Sequence, residues 1–145
     1  MSNPDDFRTQ MARGMASGAP QALALGFRFV SVSQGRGSIA VDWREDLVGD
    51  PDTQVIAGGV VTSLLDHTCG MAILSTQTQP FSTATLDLRI DYMRAAAPRA
   101  GVTAEAHCYK VTRSIAFVRA EAWDVDRGDL VATAQGAFVL NRPAA

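Results

Sequence analysis

Residues 55–70 read VIAGGVVTSLLDHTCG, an apolar run with two glycines near its front and one carboxylate, Asp66, inside it. From residue 58 onward Val61, Leu64, Leu65 and Ala72, together with Thr68, form one side of a helical wheel. That period predicts one long helix over 58–77, with a broad apolar stripe suited to a core. Gly59, Thr62, Ser63, Asp66 and Gly70 fall largely on another side, small and polar, with the carboxylate at its centre. Gly58 and Gly59 are poor helix formers, and no Ser, Asp or Asn in the adjacent residues caps the helix they open. Glycines there leave the first backbone N–H groups unobstructed. The helix dipole backs those donors, which suit an anion or a developing oxyanion. A simpler reading makes Asp66 a solvated helix acid and the glycines a tight turn. Spacing alone does not choose between the two.

On either side of this helix the hydrophobic period drops to two. Phe27, Phe29 and Ser31 alternate with Arg28, Val30 and Val32; Gly35-Arg36-Gly37 turns the chain, and Ile39, Val41 and Trp43 alternate in their turn. This is a hairpin. The stretch LVGDPDTQ (47–54) reads as a polar loop turning at Asp50-Pro51-Asp52. After Gln79-Pro80, Leu86, Leu88, Ile90 and Tyr92 alternate with Thr85, Asp87, Arg89 and Asp91, predicting a half-buried strand over 83–92. Further strands are expected over 102–111, 114–123 and 130–140. In the second of these, Ile115, Phe117 and Trp123 share one face and Ala116, Val118, Ala120 and Ala122 the other. Ahead of everything, Asn3 as cap, Pro4 at the first helical position, the acids Asp5 and Asp6 and a Phe7/Met11/Met15 stripe predict a helix within residues 1–20. It stops by Gly18-Ala19-Pro20. Strands in runs joined by short turns imply an antiparallel sheet rather than βαβ crossovers. One sheet and one long apolar helix are most simply solved by wrapping the sheet around the helix. The expectation is a single α+β domain over residues 1–145.

The composition excludes several classes. With 47% hydrophobic and 19% charged residues over 145 positions, the chain is long enough to bury a substantial core. A net charge of −2 argues against a general nucleic-acid binder. No apolar run approaches the roughly 18 to 20 residues of a membrane span. The first residues, MSNPDDFRTQ, lack the basic and apolar regions of a signal peptide. Cys69 and Cys108 show no ligand or disulfide spacing, so a reducing, cytoplasmic setting is expected. His107 has no matching ligand cluster, and no metal is assigned.

The pattern Gly58-Gly59-x4-Leu64-Leu65-Asp66-x3-Gly70-x-Ala72 resembles the signature of hot-dog-fold acyl-CoA thioesterases. The nearest subgroup is the phenylacetate-pathway (PaaI-like) type, with its usual H-G-G-x4-L-x-D-x3-G. The likeness continues through Thr85-Leu86-Asp87-Leu88-Arg89-Ile90-Asp91-Tyr92-Met93-Arg94, Val111-Thr112-Arg113-Ser114 and the turn and strand from Gly128 to Ala134. It implies a hot-dog fold, an antiparallel sheet around one long central helix, and hydrolysis of an acyl-CoA to the free acid and coenzyme A. Asp66 then matches the catalytic carboxylate, as nucleophile or as general base toward water. Gly58 matches the glycine whose N–H polarises the thioester carbonyl, in the family across a dimer interface from the carboxylate. Thr85 falls where some relatives hold the attacking water, and Asp50 where some line the carbonyl pocket. Gly59 and Ser63, on the Asp66 side of the helix, are expected to contact substrate. Arg113 and Ser114 match a region that touches the nucleotide part of coenzyme A, and Arg94 is a further candidate for its phosphates. No redox cofactor or metal is implied beyond the coenzyme A thioester substrate. The implied assembly is a homo-oligomer, a dimer or a dimer of dimers, with no nucleic-acid or membrane partner. One departure stands out: Ala57 occupies the position of the family's histidine.

Two other classes stay open at this stage. A hot-dog hydratase or dehydratase wants an Asp/His pair converging on the acyl chain. His67 points about 100° away from Asp66 on a helix, so it reads as structural. A non-hydrolytic acyl-CoA binding module is motivated by Ala57. Cys69, three residues beyond Asp66 with no base nearby, reads as packing rather than as a nucleophile.

Overall fold

In the computed structural model, which describes residues 3–78 and 81–142, the chain runs α1 (Pro4–Gly18), α2 (Pro20–Leu25), β1 (Phe27–Ser33) and β2 (Arg36–Val41). A single 3-10 turn (Glu45–Leu47), β3 (Val48–Asp50), β4 (Val55–Ile56) and α3 (Gly58–Leu74) follow. The last four strands are β5 (Ser82–Tyr92), β6 (Val102–Val111), β7 (Ile115–Trp123) and β8 (Ala132–Asn141). Six strands form one antiparallel sheet in the order β1-β2-β6-β7-β8-β5, and β3 and β4 pair as a separate ribbon. The sheet curls around α3, the hot-dog arrangement.

The core explains the choice of residues. Leu64, Leu65, Met71 and Ile73 of α3 are fully buried, against a sheet underside made of Ala104, Ala106, Ala116, Val118, Ala122 and Ala132. Small side chains on that side let the sheet close on a helix that carries the bulk. At about 25 cal/mol per Å2 of apolar surface removed from water, this contact is the main stabilising term. The aromatic face of β7 therefore points outward and its alanine face inward.

Several sequence-level boundaries move. The first helix ends at Gly18, as the Gly18-Ala19-Pro20 break predicts, but a second short helix, α2, follows at once, because Pro20 sits at its first position, where its fixed φ suits a helix start. α3 ends at Leu74 rather than 77, since the next amides switch to the i−3 carbonyl: Thr76 N–H to Ile73 and Gln77 N–H to Leu74. The Gln79-Pro80 break and the Pro4 and Asp5 side chains lie outside the described residues. Residues 47–54 are not all loop: Asp50 accepts from Asp52 N–H at 3.0 Å through its side chain, closing the turn between β3 and β4. Bulges in β1 between Phe29 and Ser31 and in β5 between Thr85 and Asp87 interrupt the expected alternation. Leu86 is therefore 58% exposed rather than half-buried. Gly70, expected on the polar side of α3, is instead buried, with Met15 of α1 against it. His67 Nε2 lies 2.7 Å from the Met15 carbonyl and ties the same two helices together.

Candidate active site

Asp66 is held by the neighbouring strand. The Thr85 hydroxyl of β5 donates to Asp66 Oδ1 at 2.6 Å. Asp66 is half-buried, whereas Thr85 is exposed on the edge strand. One carboxylate oxygen is thus fixed and the other is left for a second donor. Ser63, on the same side of α3, is half-buried, and Thr62 and Gly59 are exposed. Cys69 is fully buried, and burial pushes its thiol well up from the ordinary range, with the Asp66 and Cys108 charges adding to this. It stays protonated and is no nucleophile.

The start of α3 is built with equal care. The Ala57 N–H donates to the Leu47 carbonyl at 2.9 Å and the Val60 N–H to the Ala57 carbonyl at 3.0 Å. The Gly58 and Gly59 N–H groups have no acceptor among the described residues. The Gly58 carbonyl is clamped from the other side: Tyr92 donates its hydroxyl at 2.9 Å and Thr62 at 3.1 Å, and the two hydroxyls contact each other. Sequence reasoning missed this clamp. Its only trace was Tyr92 at the end of a strand facing the helix. A Cβ added at Gly58 would meet Tyr92 Cε1 at 3.9 Å, and one at Gly59 would meet nothing within 4 Å. Neither glycine has a positive φ. Nothing in the chain's own packing requires glycine at 59, which faces open space.

Gly58 opens onto a cavity of about 610 Å3, lined by Asp50, Ile56, Ala57, Val61, Tyr92 and Met93 among others. The structure therefore brings Gly58 and Asp50 to one hollow, and Asp66 and Thr85 together further along α3. It does not unite them within one chain. Eight residues separate Gly58 from Asp66, about 12 Å at the helical rise, and neither Asp66 nor Thr85 lines the cavity.

Two of the three arginine and serine candidates fall elsewhere. Arg113 and Ser114 are exposed in the β6–β7 turn and do not line the cavity. Arg94 lines it, with its guanidinium ion-paired within the chain. It forks onto Asp124 at 2.9 and 2.6 Å, and its Nε lies 3.2 Å from Asp129. The Asp124 side chain is only 2% exposed and also accepts the Ala97 N–H at 2.8 Å. The Arg94 fork, with those backbone donors, holds its carboxyl far below the usual carboxylate range.

The family model described as the thioesterase superfamily matches residues 53–131, the span from the β3–β4 turn to the start of β8. A Pseudomonas aeruginosa protein of known structure is 32% identical, covers 91% of this chain and 98% of its own, and superposes with a TM-score of 0.83. A variant of the phenylacetic acid degradation protein PaaI from Thermus thermophilus is 26% identical over 83% of this chain and 98% of its own, with a TM-score of 0.72. The E. coli PaaI protein of the phenylacetic acid degradation operon shares the fold, with a TM-score of 0.82 over 99% of this chain and 98% of its own, at 20% identity. No curated protein matches the chain significantly in sequence.

Proposed function

Because the chain belongs to the thioesterase superfamily, we propose that it hydrolyses an acyl-CoA, with Asp66 as the reacting carboxylate and the glycine start of α3 as the oxyanion donor. Water adds its oxygen to the thioester carbonyl carbon, the C–S bond breaks, and the sulfur leaves as coenzyme A thiolate, which is then protonated. In that route Asp66 takes the water proton as general base; in the other its carboxylate displaces the thiolate to give an acyl–aspartyl anhydride, and water then cleaves the anhydride, releasing the free acid and regenerating Asp66. The Gly58 N–H, with the Gly59 N–H beside it, stabilises the charge that grows on the carbonyl oxygen. The reaction as proposed needs water and substrate and no further cofactor.

The observation that carries this reading is the pairing of an Asp66 already oriented by Thr85 with glycine N–H groups left without acceptors on the same helix. The 12 Å or so between them favours a site shared by two chains, the carboxylate from one and the glycines from another. The free edge of β5 offers the means, with Leu86, Tyr92 and Met93 at 58%, 49% and 60% exposure. We assign an edge-paired dimer, able to pair again into a dimer of dimers. Two free cysteines, both buried, fit a cytoplasmic enzyme. Asp50 and Ser63 would line the acyl end, and Arg113 with Ser114 would meet the nucleotide end.

A thiol-release assay across aromatic, short and medium acyl-CoAs tests this. Release by wild type and its loss in Asp66→Asn is the expected outcome. No release from any substrate, or an active Asp66→Asn, overturns it. Binding without release is the outcome that Ala57 in place of the family's histidine favours, and it would make the protein an acyl-CoA binding module instead.

A further inference from the structure

Among the described residues, Asp50 and Arg94 are the charged side chains lining the cavity beside Gly58; the rest of its wall is mostly apolar, with Val55, Ile56, Val61, Met93 and Val131. A guanidinium in an apolar hollow would ordinarily anchor an anionic group of a ligand. Here its donors are turned toward the chain itself. Arg94 Nη1 donates to Asp124 Oδ2 at 2.9 Å and to the Ala95 carbonyl at 3.0 Å. Nη2 donates to Asp124 Oδ1 at 2.6 Å and to the Asp129 carbonyl at 2.7 Å. The remaining N–H is on Nε, which is buried and lies 3.2 Å from Asp129 Oδ1. A guanidinium carries five N–H groups, and none of these is left to point at a ligand.

The charges do not balance either. One guanidinium faces two carboxylates, a surplus of one negative charge, and Asp50, whose Oδ1 accepts the Asp52 N–H, adds a second. Asp124 cannot release its partner at low cost. Its side chain is 2% exposed, and it also holds the Ala97 and Val125 N–H groups at 2.8 and 2.6 Å. Turning Arg94 toward a ligand would leave that carboxylate buried without its counter-ion, a strongly destabilised state.

We propose that Asp124 and Asp129 set the specificity of this cavity: by occupying Arg94, they admit an uncharged, apolar acyl group and shut out one that ends in a carboxylate. The inference rests on the thioesterase reading for the acyl group, and neither carboxylate takes part in the chemical step. An acyl carboxylate entering the hollow gives up water and meets a surplus of negative charge with no free donor. An alkyl or aryl end meets the apolar wall, and its burial is favourable.

Hexanoyl-CoA and adipoyl-CoA have the same chain length and differ only in a terminal carboxylate, so the pair isolates the charge. Thiol release by wild type is expected to favour hexanoyl-CoA by at least about a hundredfold in kcat/KM. Asp124→Asn frees the guanidinium and is expected to raise the adipoyl-to-hexanoyl ratio at least about tenfold. Arg94→Leu/Asp124→Leu replaces the pair by apolar side chains and is expected to stay at or below the wild-type ratio, which separates a freed cation from a loosened loop. Thermal melts check folding, and Asp129→Asn, at the more exposed partner, carries the same prediction in smaller degree should Asp124→Asn not fold. Equal use of the two substrates by wild type overturns the proposal. So does an unchanged ratio in both Asn variants, or an equal gain in the Leu pair. Thiol release from no acyl-CoA at all would sink the thioesterase reading instead. The same ratios, read as dissociation constants by calorimetry, then decide this inference, and equal affinity of wild type for the two overturns it.

Discussion

Asp66 and Thr85 are coupled by a single hydrogen bond, so their substitutions are expected to differ in kind. Asp66→Asn keeps the shape and removes the base, and thiol release is expected to vanish. Thr85→Val leaves the carboxylate but frees it to rotate. A fall of about tenfold in kcat with little change in KM is the expected result, the signature of lost positioning rather than lost binding. Thr85→Ser is expected to recover most of the rate. Tyr92 acts one step further out, since its hydroxyl clamps the carbonyl of the peptide whose N–H belongs to Gly59. Loss of one such neutral hydrogen bond costs about 1 kcal/mol of stability, so Tyr92→Phe is expected to lower the melting temperature by a few degrees and, by loosening the peptide that carries the donor, to lower kcat by up to about fivefold. Asp124 belongs to stability rather than to chemistry. Its carboxyl is held far below the usual range in the folded state by Arg94 and backbone donors, while the unfolded chain titrates near the ordinary value of about 3.9. A depressed folded pKa stabilises fully above the unfolded value, and the contribution is lost as pH falls below it toward the folded one. The melting temperature of wild type is therefore expected to drop more steeply below pH 4 than that of Asp124→Asn, measured by calorimetry at matched salt.

At the scale of elements, α3 is where stability and function pull apart. Ala at position 59 meets open space in the single chain, and alanine exceeds glycine in helix preference by up to about 1 kcal/mol. Gly59→Ala is expected to raise the melting temperature yet lower thiol release at least about tenfold, because the added methyl occupies the space beside the donor N–H groups. Equal losses of stability and activity would refute that division. The same helix marks how far the sequence could be read. Its existence, its glycine start and its buried Leu64-Leu65 pair follow from a three-to-four residue period, and β6 matches its expected 102–111 range end to end. Departures arise where a local geometric event has no compositional signal. The β5 bulge turns Leu86 out without altering the letter pattern, and α2 begins on a proline that equally well marks a stop. Gly70 looks like part of a polar face until α1 folds over it, a contact made between residues 15 and 70 that no local window contains. Arg94 read as a free cation because its partner Asp124 lies thirty residues away, in another strand connection. Pairings of that separation are set by sheet order, which single-sequence periodicity does not carry.

At the scale of the molecule, the decisive question is whether one chain can work alone. Gly58 and Asp66 stand on one helix, about 12 Å apart along it and about 80° apart around it, too far for a single thioester carbon to touch both. An edge-paired dimer solves this if its two-fold brings the helix start of each chain toward the carboxylate of the other. That geometry makes a sharp statement about mixtures. Asp66→Asn and Gly59→Ala homodimers each lack one half of every site and are expected to be nearly inactive. A heterodimer of the two concentrates both defects in one site and leaves the other intact. Unfolding and refolding an equimolar mixture is expected to restore about a quarter of wild-type activity, since half the dimers are mixed and each of these carries one good site of two. Activity that stays at the level of the parents would place both groups in the same chain's site. Leu86→Lys sharpens the test, because a charge placed on the β5 edge disfavours strand pairing. It is expected to yield a species of half the mass with no thiol release, and its activity is expected to return only at protein concentrations where sedimentation shows the edge contact re-formed.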